Sequence, residues 1–252
     1  MPFTFSHPAA IIPARILPRR WVSLTALIIG SITPDFEYFI RMRNLGLYGH
    51  TFAGIFWFDL PIAFALTYVY HLLVRDSLID NLPRFLRSSL ARFKGFDWPD
   101  YVRKNVWVVL VCLIIGISSH LFWDAFTHRT GYFVNRIPWL LANTEVFGVE
   151  HVRFYIFQNI SSLVGMICVI VAILSMPGDS NTEKRSIIKY WLIAGLITLT
   201  ITAIRSVVYS FKPTDEIFVV DKYKIPEDII MTAISAVMIA LIITPFILKR
   251  KA

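Results

Sequence analysis

The chain has 252 residues, of which 56% are hydrophobic and 17% are charged, and its mean hydropathy is +0.61. A soluble domain carries about 25% charged residues, so this composition excludes an ordinary soluble protein. The formal net charge of +8 is spread over short segments between apolar runs. That distribution orients membrane proteins and does not indicate a nucleic-acid partner.

Six apolar runs are long enough to cross a bilayer, since about 20 apolar residues span its hydrocarbon core. Backbone polar groups in lipid need internal hydrogen bonds, and these runs lack the alternation of barrel strands, so we expect helices. The predicted helices cover residues 22–40, 52–74, 105–127, 154–176, 190–211 and 227–248. We therefore predict an all-α integral membrane protein, with about six transmembrane helices in a single membrane domain of residues 1–252.

The segments outside the spans indicate an orientation. Residues 1–21 contain four prolines and lack the small-residue cleavage site of a signal peptide, so we expect the first span to be retained. Twice as many Lys and Arg residues lie on the side that holds both termini as on the other side, which predicts cytoplasmic termini. Residues 75–104 mix Leu and Phe with Arg and Lys at helical spacing. This basic amphipathic segment on the cytoplasmic side either lies flat on an anionic leaflet or forms a solvated loop.

Polar residues within the spans are the candidate functional residues, because each ionisable group at membrane depth costs at least ~2.5 kcal/mol on insertion scales. When the span directions alternate, these residues fall in the outer third of one leaflet. We predict a single polar pocket in the outer half of the membrane. Its members are Asp35, Glu37, His50, Asp59, His120, Asp124, His128, Gln158, Asn159 and Arg205.

The sharpest local pattern is SSHLFWDAFTH, in which His120, Asp124 and His128 follow one another at i, i+4 spacing. On a helix this spacing stacks the side chains along one face, so they can address one point or two adjacent points. Zinc and related divalent ions take His and Asp ligands. The alternative is a hydrogen-bonded His–Asp pair that holds two helices together.

Asp35 and Glu37 follow Pro34, which disrupts a helix and can help present a ligand. The alternative is a helix end at which both carboxylates are solvated. His50, which precedes the second span, is either a further ligand or a histidine of an interfacial loop.

Three other polar residues have supporting roles in this interpretation. For Asp59 we favour a hydrogen bond to a ligating histidine over direct ligation or a pairing with Arg205. Gln158 either supports the site or only forms interhelical hydrogen bonds. Arg205 either neutralises a substrate phosphate or balances the carboxylates.

The stretches MPFTFSHPAA, GSITPDFEYF, GHTFAG, FDLP and SHLFWDAFTH occur in the N-terminal half of the chain. In this order they resemble a bacterial family of uncharacterised membrane proteins. The resemblance implies a location in the bacterial cytoplasmic membrane and carries no activity with it.

A more distant resemblance is to the LexA-regulated membrane-bound metal-dependent hydrolases. The early His of those hydrolases matches His7, and their PD motif matches Asp35. Their H-R-x-x-T-H stretch matches GHT at His50, and their S-H-x-x-x-D helix matches His120 and Asp124. The resemblance implies that these five residues are metal ligands. This chain has one His where those hydrolases have two, so a ligand is missing and two-metal chemistry is not implied unless His128 takes its place.

His7 conflicts with the predicted orientation, which leaves it on the cytoplasmic side, about 20 Å from the pocket at a 1.5 Å rise per residue. Three explanations remain open. His7 is not a ligand, the proline-rich segment dips into the protein, or the orientation is inverted.

These patterns predict a membrane-embedded metal-dependent hydrolase that acts on a phosphoester or related bond of a lipid or lipid-linked substrate. A divalent metal, zinc before others, is the expected cofactor, with Asp35, His50, His120 and Asp124 as ligands and His7 as a further ligand. His128 is a ligand or a general base, and Arg205 neutralises developing charge. The alternatives are a proton- or ion-coupled transporter and a membrane scaffold without catalysis, and the oligomeric state stays open.

Overall fold

The structure is a computed structural model that describes residues 3–18, 20–178, 186–210 and 225–249. Within these ranges, five helices are long and apolar enough to cross a membrane: Ile55–Asp80, Trp98–Thr127, Arg153–Leu174, Ile188–Val208 and Pro226–Leu248. This architecture fits the predicted all-α membrane protein. Several basic residues used to predict the orientation lie outside the described residues, namely Arg19, Lys184, Arg185, Lys212, Lys222, Lys224, Arg250 and Lys251.

The described ranges form ten α-helices, which we number in chain order. They are α1 (Leu24–Ile32), α2 (Phe36–Arg41), α3 (Leu60–Val69), α4 (Arg75–Asp80), α5 (Arg84–Leu90), α6 (Trp98–Thr127), α7 (Pro138–Leu141), α8 (Arg153–Leu174), α9 (Ile188–Ser210) and α10 (Ile225–Lys249). Turns of π-helix at Ile55–Asp59 and Tyr70–Val74 join α3 and α4 into the first long span. Segments of 3-10 helix cover Thr4–Ile16, Thr33–Asp35 and Ala91–Phe93.

The first predicted span is interrupted in the structure. The Ser23 hydroxyl caps the start of α1 by accepting a hydrogen bond from the Ala26 amide at 3.4 Å. α1 ends at Ile32, and the 3-10 turn with Pro34 at its centre leads into the short α2. A proline has no amide hydrogen and its ring disturbs the preceding helical turn, which explains the interruption. A sixth membrane-crossing helix therefore stays a prediction.

The second and third spans extend further than the sequence indicated. The second continues to Asp80, beyond the predicted end at residue 74, and α6 begins at Trp98, before the predicted start at residue 105. Asn105 has non-helical backbone angles, φ −133° and ψ 31°, so the predicted start coincides with a kink. The last three predicted spans lie within a few residues of the observed helices, although the predicted end at residue 211 falls outside the described residues.

The chain divides into two compact units that alternate along the sequence. The first unit comprises Met1–Pro34, Tyr48–Thr67 and Pro99–Met176. In this unit the 3-10 helix Thr4–Ile16 packs against α1 and α8. The start of this 3-10 helix is held against α8 in two places. The Phe3 amide donates a hydrogen bond to the Ser162 hydroxyl at 3.1 Å. The backbone of Ser6 also packs so close to Gly165 that a Cβ added at Gly165 would lie 2.9 Å from the Ser6 carbonyl oxygen.

α1 and α6 of the first unit meet backbone to backbone. A Cβ added at Gly30 would lie 2.5 Å from the Leu113 carbonyl oxygen, and one added at Gly116 would lie 2.4 Å from the Leu27 carbonyl oxygen. The Ser23 amide also donates to the Cys112 sulfur at 3.3 Å. Only glycine permits such a close approach, and it brings the C-terminal end of α1 beside the polar half of α6.

The second unit comprises Asp35–Leu47, Tyr68–Trp98 and Pro177–Ala252. α10 packs against α9 and α2 within it, and the Ser235 hydroxyl donates to the Phe39 carbonyl at 2.7 Å. The buried Arg75 donates to Nδ1 of His71 at 2.7 Å and to the Phe96 carbonyl at 2.8 Å. These bonds anchor part of the basic segment 75–104, whose relation to a membrane surface stays a prediction.

A β-hairpin that the sequence analysis did not predict lies before α8. Strands β1 (Asn143–Val146) and β2 (Val149–Val152) pair antiparallel. Phe147 and Gly148 join them with φ of 51° and 78°. Positive φ at both central residues is typical of a two-residue hairpin turn, and glycine adopts such angles at low cost.

We predict that Gly116→Ala destabilises the protein by about 1–3 kcal/mol, because the added methyl must push α1 away from α6. The matched control is Gly195→Ala on α9, where a Cβ meets no atom within 4 Å. Alanine there should leave the melting temperature unchanged or raise it, since alanine is the better helix former. Thermal unfolding of the detergent-purified proteins compares them, and equal melting temperatures for Gly116→Ala and the parent would refute the close crossing.

Candidate metal centre

Four histidines of the first unit surround the buried carboxylate of Asp124. Oδ2 of Asp124 lies 3.2 Å from Nε2 of His120 and 3.3 Å from Nε2 of His50. Oδ1 lies 3.4 Å from Nδ1 of His128 and 3.6 Å from Nε2 of His7. The structure therefore brings together five residues that the sequence analysis singled out, with Asp124 at their centre.

Three of the five come from one helical face, as the spacing predicts. His120 and Asp124 lie on α6, and the His128 amide donates to the Asp124 carbonyl at 2.9 Å, so the helical hydrogen-bonding pattern reaches one residue past the end of α6. His50 lies in the turn before the π-helical segment Ile55–Asp59.

His7 reaches the site from the 3-10 helix Thr4–Ile16 and is 1% exposed. Its ring stacks on that of His120, with a centroid separation of 3.8 Å and an interplanar angle of 18°. Of the three explanations left open for His7, the structure favours the second: the proline-rich segment packs into the protein.

A backbone carbonyl determines the tautomer of His120. Its Nδ1 lies 2.8 Å from the carbonyl oxygen of Ser31 on α1, and because a carbonyl only accepts, Nδ1 carries the hydrogen and donates it. In the neutral ring, Nε2 then presents a lone pair towards Oδ2 of Asp124. Metal-ligating histidines are oriented in this way, with the second ring nitrogen donating to a carbonyl or carboxylate.

The facing lone pairs require a proton or a cation between them. A neutral Nε2 and a carboxylate oxygen are both acceptors, so their 3.2 Å contact needs a proton on one of the two groups or a cation between them. This requirement applies to His120, because each of the other three imidazoles can turn an N–H towards Asp124 while neutral. A metal cation satisfies the same contacts with neutral rings.

The distances suit a metal ion as well. Ligand bonds of about 2.0–2.2 Å place the donor atoms of a tetrahedral zinc site about 3.3–3.6 Å apart. The four nitrogen–oxygen separations run from 3.2 to 3.6 Å. One donor atom each from His50, His120 and Asp124 lies within 4.8 Å of the others, so these residues can hold a divalent ion.

Asp35 is the first residue of the second unit and is 2% exposed. It follows Pro34 directly, and a Cβ added at Gly49 would lie 2.6 Å from the Pro34 carbonyl oxygen. The residues that precede Asp35 and His50 are therefore in contact within the first unit. Ligation by Asp35 stays a prediction.

Asp59 and Gln158 are both buried in the first unit. Asp59 ends the π-helical segment, and its Oδ1 would lie 3.2 Å from a Cβ added at Gly49, next to His50. This places the carboxylate beside the turn that carries His50, where it suits the predicted hydrogen-bonding role. Gln158 lies on α8.

Glu37 and Arg205 belong to the second unit, so they are not among the side chains that the first unit brings together. Glu37 accepts hydrogen bonds from Nε and Nη2 of Arg41 at 3.0 and 2.8 Å. Arg205 is half-buried on α9. Their predicted roles at the site stay predictions.

Trp123 is a neighbour of the site that the sequence analysis did not select. Its ring lies 5.5 Å from that of His7, and its Nε1 donates to the Ser161 hydroxyl at 3.2 Å. The side chain thus links α6 to α8 beside His7. The sequence could have indicated Trp123, because it lies between His120 and Asp124 in an apolar run and an indole N–H at membrane depth needs a hydrogen-bond acceptor.

The fold and the site were compared with known proteins. Neither the curated proteins nor the solved structures gave a match to the chain. A family model described as a domain of unknown function, DUF4184, matches residues 1–246. This agrees with the resemblance to a family of uncharacterised membrane proteins and adds no link to the hydrolases. The chain belongs to the DUF4184 family.

Proposed function

We propose that this protein is a membrane-embedded hydrolase that uses a divalent metal ion, zinc before others, to cleave a phosphoester or related bond of a lipid or lipid-linked substrate. One observation carries the proposal: the buried carboxylate of Asp124 faces four imidazole nitrogens at 3.2 to 3.6 Å. Such a donor set suits a catalytic zinc site, which keeps a position open for water or substrate.

Asp124, His50 and His120 hold the ion in this proposal, and Asp35 completes the set. Two buried features support the assignment: the Ser31 carbonyl orients His120, and Asp35 follows the proline whose carbonyl lies against Gly49. Asp59 hydrogen-bonds a ligating histidine, which fixes its ring and raises its basicity.

The cluster has a closed side and an open side. His7 and His120 are 1% and 0% exposed, whereas the side chains of His128 and His50 are 23% and 25% exposed. Substrate therefore approaches from the side of His50 and His128. Because the helices around the site are apolar enough to cross a membrane, a lipid or lipid-linked substrate reaches it most directly.

The residues divide the chemistry among them. A divalent cation polarises a phosphoryl oxygen and lowers the pKa of water towards ~7. His128, on the open side, is a further ligand or accepts the proton of the attacking water. The water oxygen bonds to phosphorus, the bond to the leaving oxygen breaks, and that oxygen takes up a proton. Arg205 is the proposed countercharge for the phosphate.

A non-catalytic scaffold is the second candidate, and the His120–Ser31 bond favours it because this bond joins α6 to α1. In that case the polar cluster only ties helices together. The two candidates differ in what the loss of charge at Asp124 changes. In a catalytic site it lowers the rate of hydrolysis, whereas in a structural cluster it lowers only the stability of the fold.

We predict that zinc-supplemented protein hydrolyses bis(p-nitrophenyl) phosphate or the headgroup of phospholipid in mixed micelles. Asp124→Asn should lower the rate by about 10²-fold or more, because the amide keeps the shape but loses the charge that a cation needs. The matched control is Asp100→Asn at the opposite end of α6, a half-buried carboxylate paired with Arg103 and Lys104. Equal rates for the parent and Asp124→Asn, with the melting temperature lowered only in Asp124→Asn, would favour the scaffold.

The proposed location is the bacterial cytoplasmic membrane, with the site in the outer half and both termini in the cytoplasm. In a Cys112→Ser, Cys168→Ser background, a membrane-impermeant maleimide should label Glu145→Cys on β1 in intact cells. Arg103→Cys, which replaces an exposed side chain near the start of α6, should react only after permeabilisation. The opposite labelling pattern would invert the orientation.

A further inference from the structure

Residues 83–96 form a basic segment of the second unit that has no part in the proposed catalysis. They lie between the membrane-crossing helices Ile55–Asp80 and Trp98–Thr127. The segment comprises α5, the 3-10 turn that follows α5 and the residues up to Phe96. Its sequence contains no carboxylate and four cationic side chains, namely Arg84, Arg87, Arg92 and Lys94.

Three phenylalanines of this segment are exposed. Phe85 is 61% exposed, Phe93 is 42% exposed and Phe96 is 46% exposed. Two of them directly follow an exposed arginine, in the pairs Arg84–Phe85 and Arg92–Phe93. Apolar surface is unfavourable in water, and apolar side chains beside cationic ones are typical of segments that lie in the membrane interface.

The segment is held on the end of the first membrane-crossing helix. The guanidinium of Arg75 donates to the Phe96 carbonyl at 2.8 Å, and Lys94 pairs with the Asp80 carboxylate at 2.5 Å. The buried Arg87 donates to the Asp80 carbonyl at 3.2 Å. The segment is therefore a folded part of the second unit, and this folding sets the exposure of its phenylalanines.

The segment lies at the level where membrane-crossing helices end. The Asn81 carbonyl, one residue past the end of the first of these helices, accepts a hydrogen bond from Nε1 of Trp191 at 2.7 Å. Trp191 lies near the start of the helix Ile188–Val208, so these two helices have ends at one level. Arg92 also donates to the carbonyl of Pro177, which follows α8 in the chain. Helix ends of this kind lie among phospholipid headgroups, where Trp is enriched.

We infer that residues 83–96 bind the anionic headgroups of phospholipids in the leaflet at this end of the helices. The arginines contact the phosphates, since a guanidinium matches phosphate geometry. Phe85, Phe93 and Phe96 insert at the boundary between headgroups and acyl chains. In the proposed orientation this is the cytoplasmic leaflet. The inference does not depend on the proposed hydrolase activity, because the segment contains no residue of the candidate metal centre.

The position of the segment favours lipid over a soluble partner protein. An anionic leaflet attracts each Lys or Arg near its surface, and this attraction falls off within a Debye length. The side chains must therefore lie close to the headgroups, and the contact between Asn81 and Trp191 places the segment at that level. The absence of carboxylates from residues 83–96 complements an anionic surface.

A spin label at residue 93 tests the inference in the full-length protein. Phe93→Cys, in the Cys112→Ser, Cys168→Ser background, is labelled with a nitroxide and reconstituted into nanodiscs of phosphatidylcholine, with or without phosphatidylglycerol. Power-saturation electron paramagnetic resonance compares the access of oxygen, which concentrates among acyl chains, with the access of a water-soluble nickel chelate. Phosphatidylglycerol should raise the oxygen-to-nickel ratio several-fold, because the anionic headgroups draw the basic segment into the interface.

Charge variants separate headgroup binding from a general effect of positive charge. Arg84→Gln combined with Arg92→Gln should abolish the rise in the ratio. The matched control is Arg103→Gln combined with Lys104→Gln, which removes the same charge at two exposed side chains that pair with Asp100. This control should keep the rise.

If the Phe93→Cys protein does not fold, Phe85→Cys gives the same comparison at a more exposed side chain. A label that stays accessible to nickel in both membranes would overturn the inference and indicate a solvated loop. A label equally buried in both membranes, or a matched control that loses the rise to the same extent, would overturn the binding of anionic headgroups by this segment.

Discussion

The contact between Nε2 of His120 and Oδ2 of Asp124 is the interaction on which the candidate metal centre depends. The Ser31 carbonyl takes the hydrogen of Nδ1, so the neutral imidazole meets the carboxylate with a lone pair. Two buried acceptors in contact need a proton or a cation between them, because a buried polar group without compensation costs several kcal/mol. The other imidazoles that face Asp124 can ligate the same cation with neutral rings.

The backbone geometry of the first unit produces this contact. Gly30 and Gly116 let α1 and α6 approach until their backbones touch, and this close crossing places Ser31 within hydrogen-bonding distance of His120. The 3-10 interruption at Thr33–Asp35 follows immediately, so α1 ends where the polar cluster begins. The packing of α1 against α6 thereby determines the tautomer of His120, which cannot be predicted from the residues next to His120 in the sequence.

Much of the site follows from helical periodicity. His120, Asp124 and His128 share one face because the i, i+4 spacing lies in a run that is apolar enough to be a helix. His50 was also predicted to belong to the site, because it was expected at the same membrane depth, and the structure brings it to the same carboxylate. Local rules suffice for these residues, since each lies within or next to a strongly apolar span.

Other features depend on tertiary packing and could not be read locally. The distribution of basic residues assigned His7 to the cytoplasmic side. That distribution indicates on which side the arginines lie, but it does not indicate whether the N-terminal segment that contains His7 packs into the protein. The structure shows that segment as a 3-10 helix against α1 and α8, with His7 buried. The distribution of the four imidazoles between the two oxygens of Asp124 likewise depends on the positions of three chain segments at once.

A metal ion among these imidazoles and the Asp124 carboxylate can be detected by its ligand shell. X-ray absorption at the zinc edge of the purified protein tests it most directly. Zinc bound at this site should give a first shell of nitrogen and oxygen at about 2.0–2.1 Å, with the outer-shell scattering of several imidazoles. A shell of sulfur at about 2.3 Å, or a first shell without imidazole scattering, would contradict it.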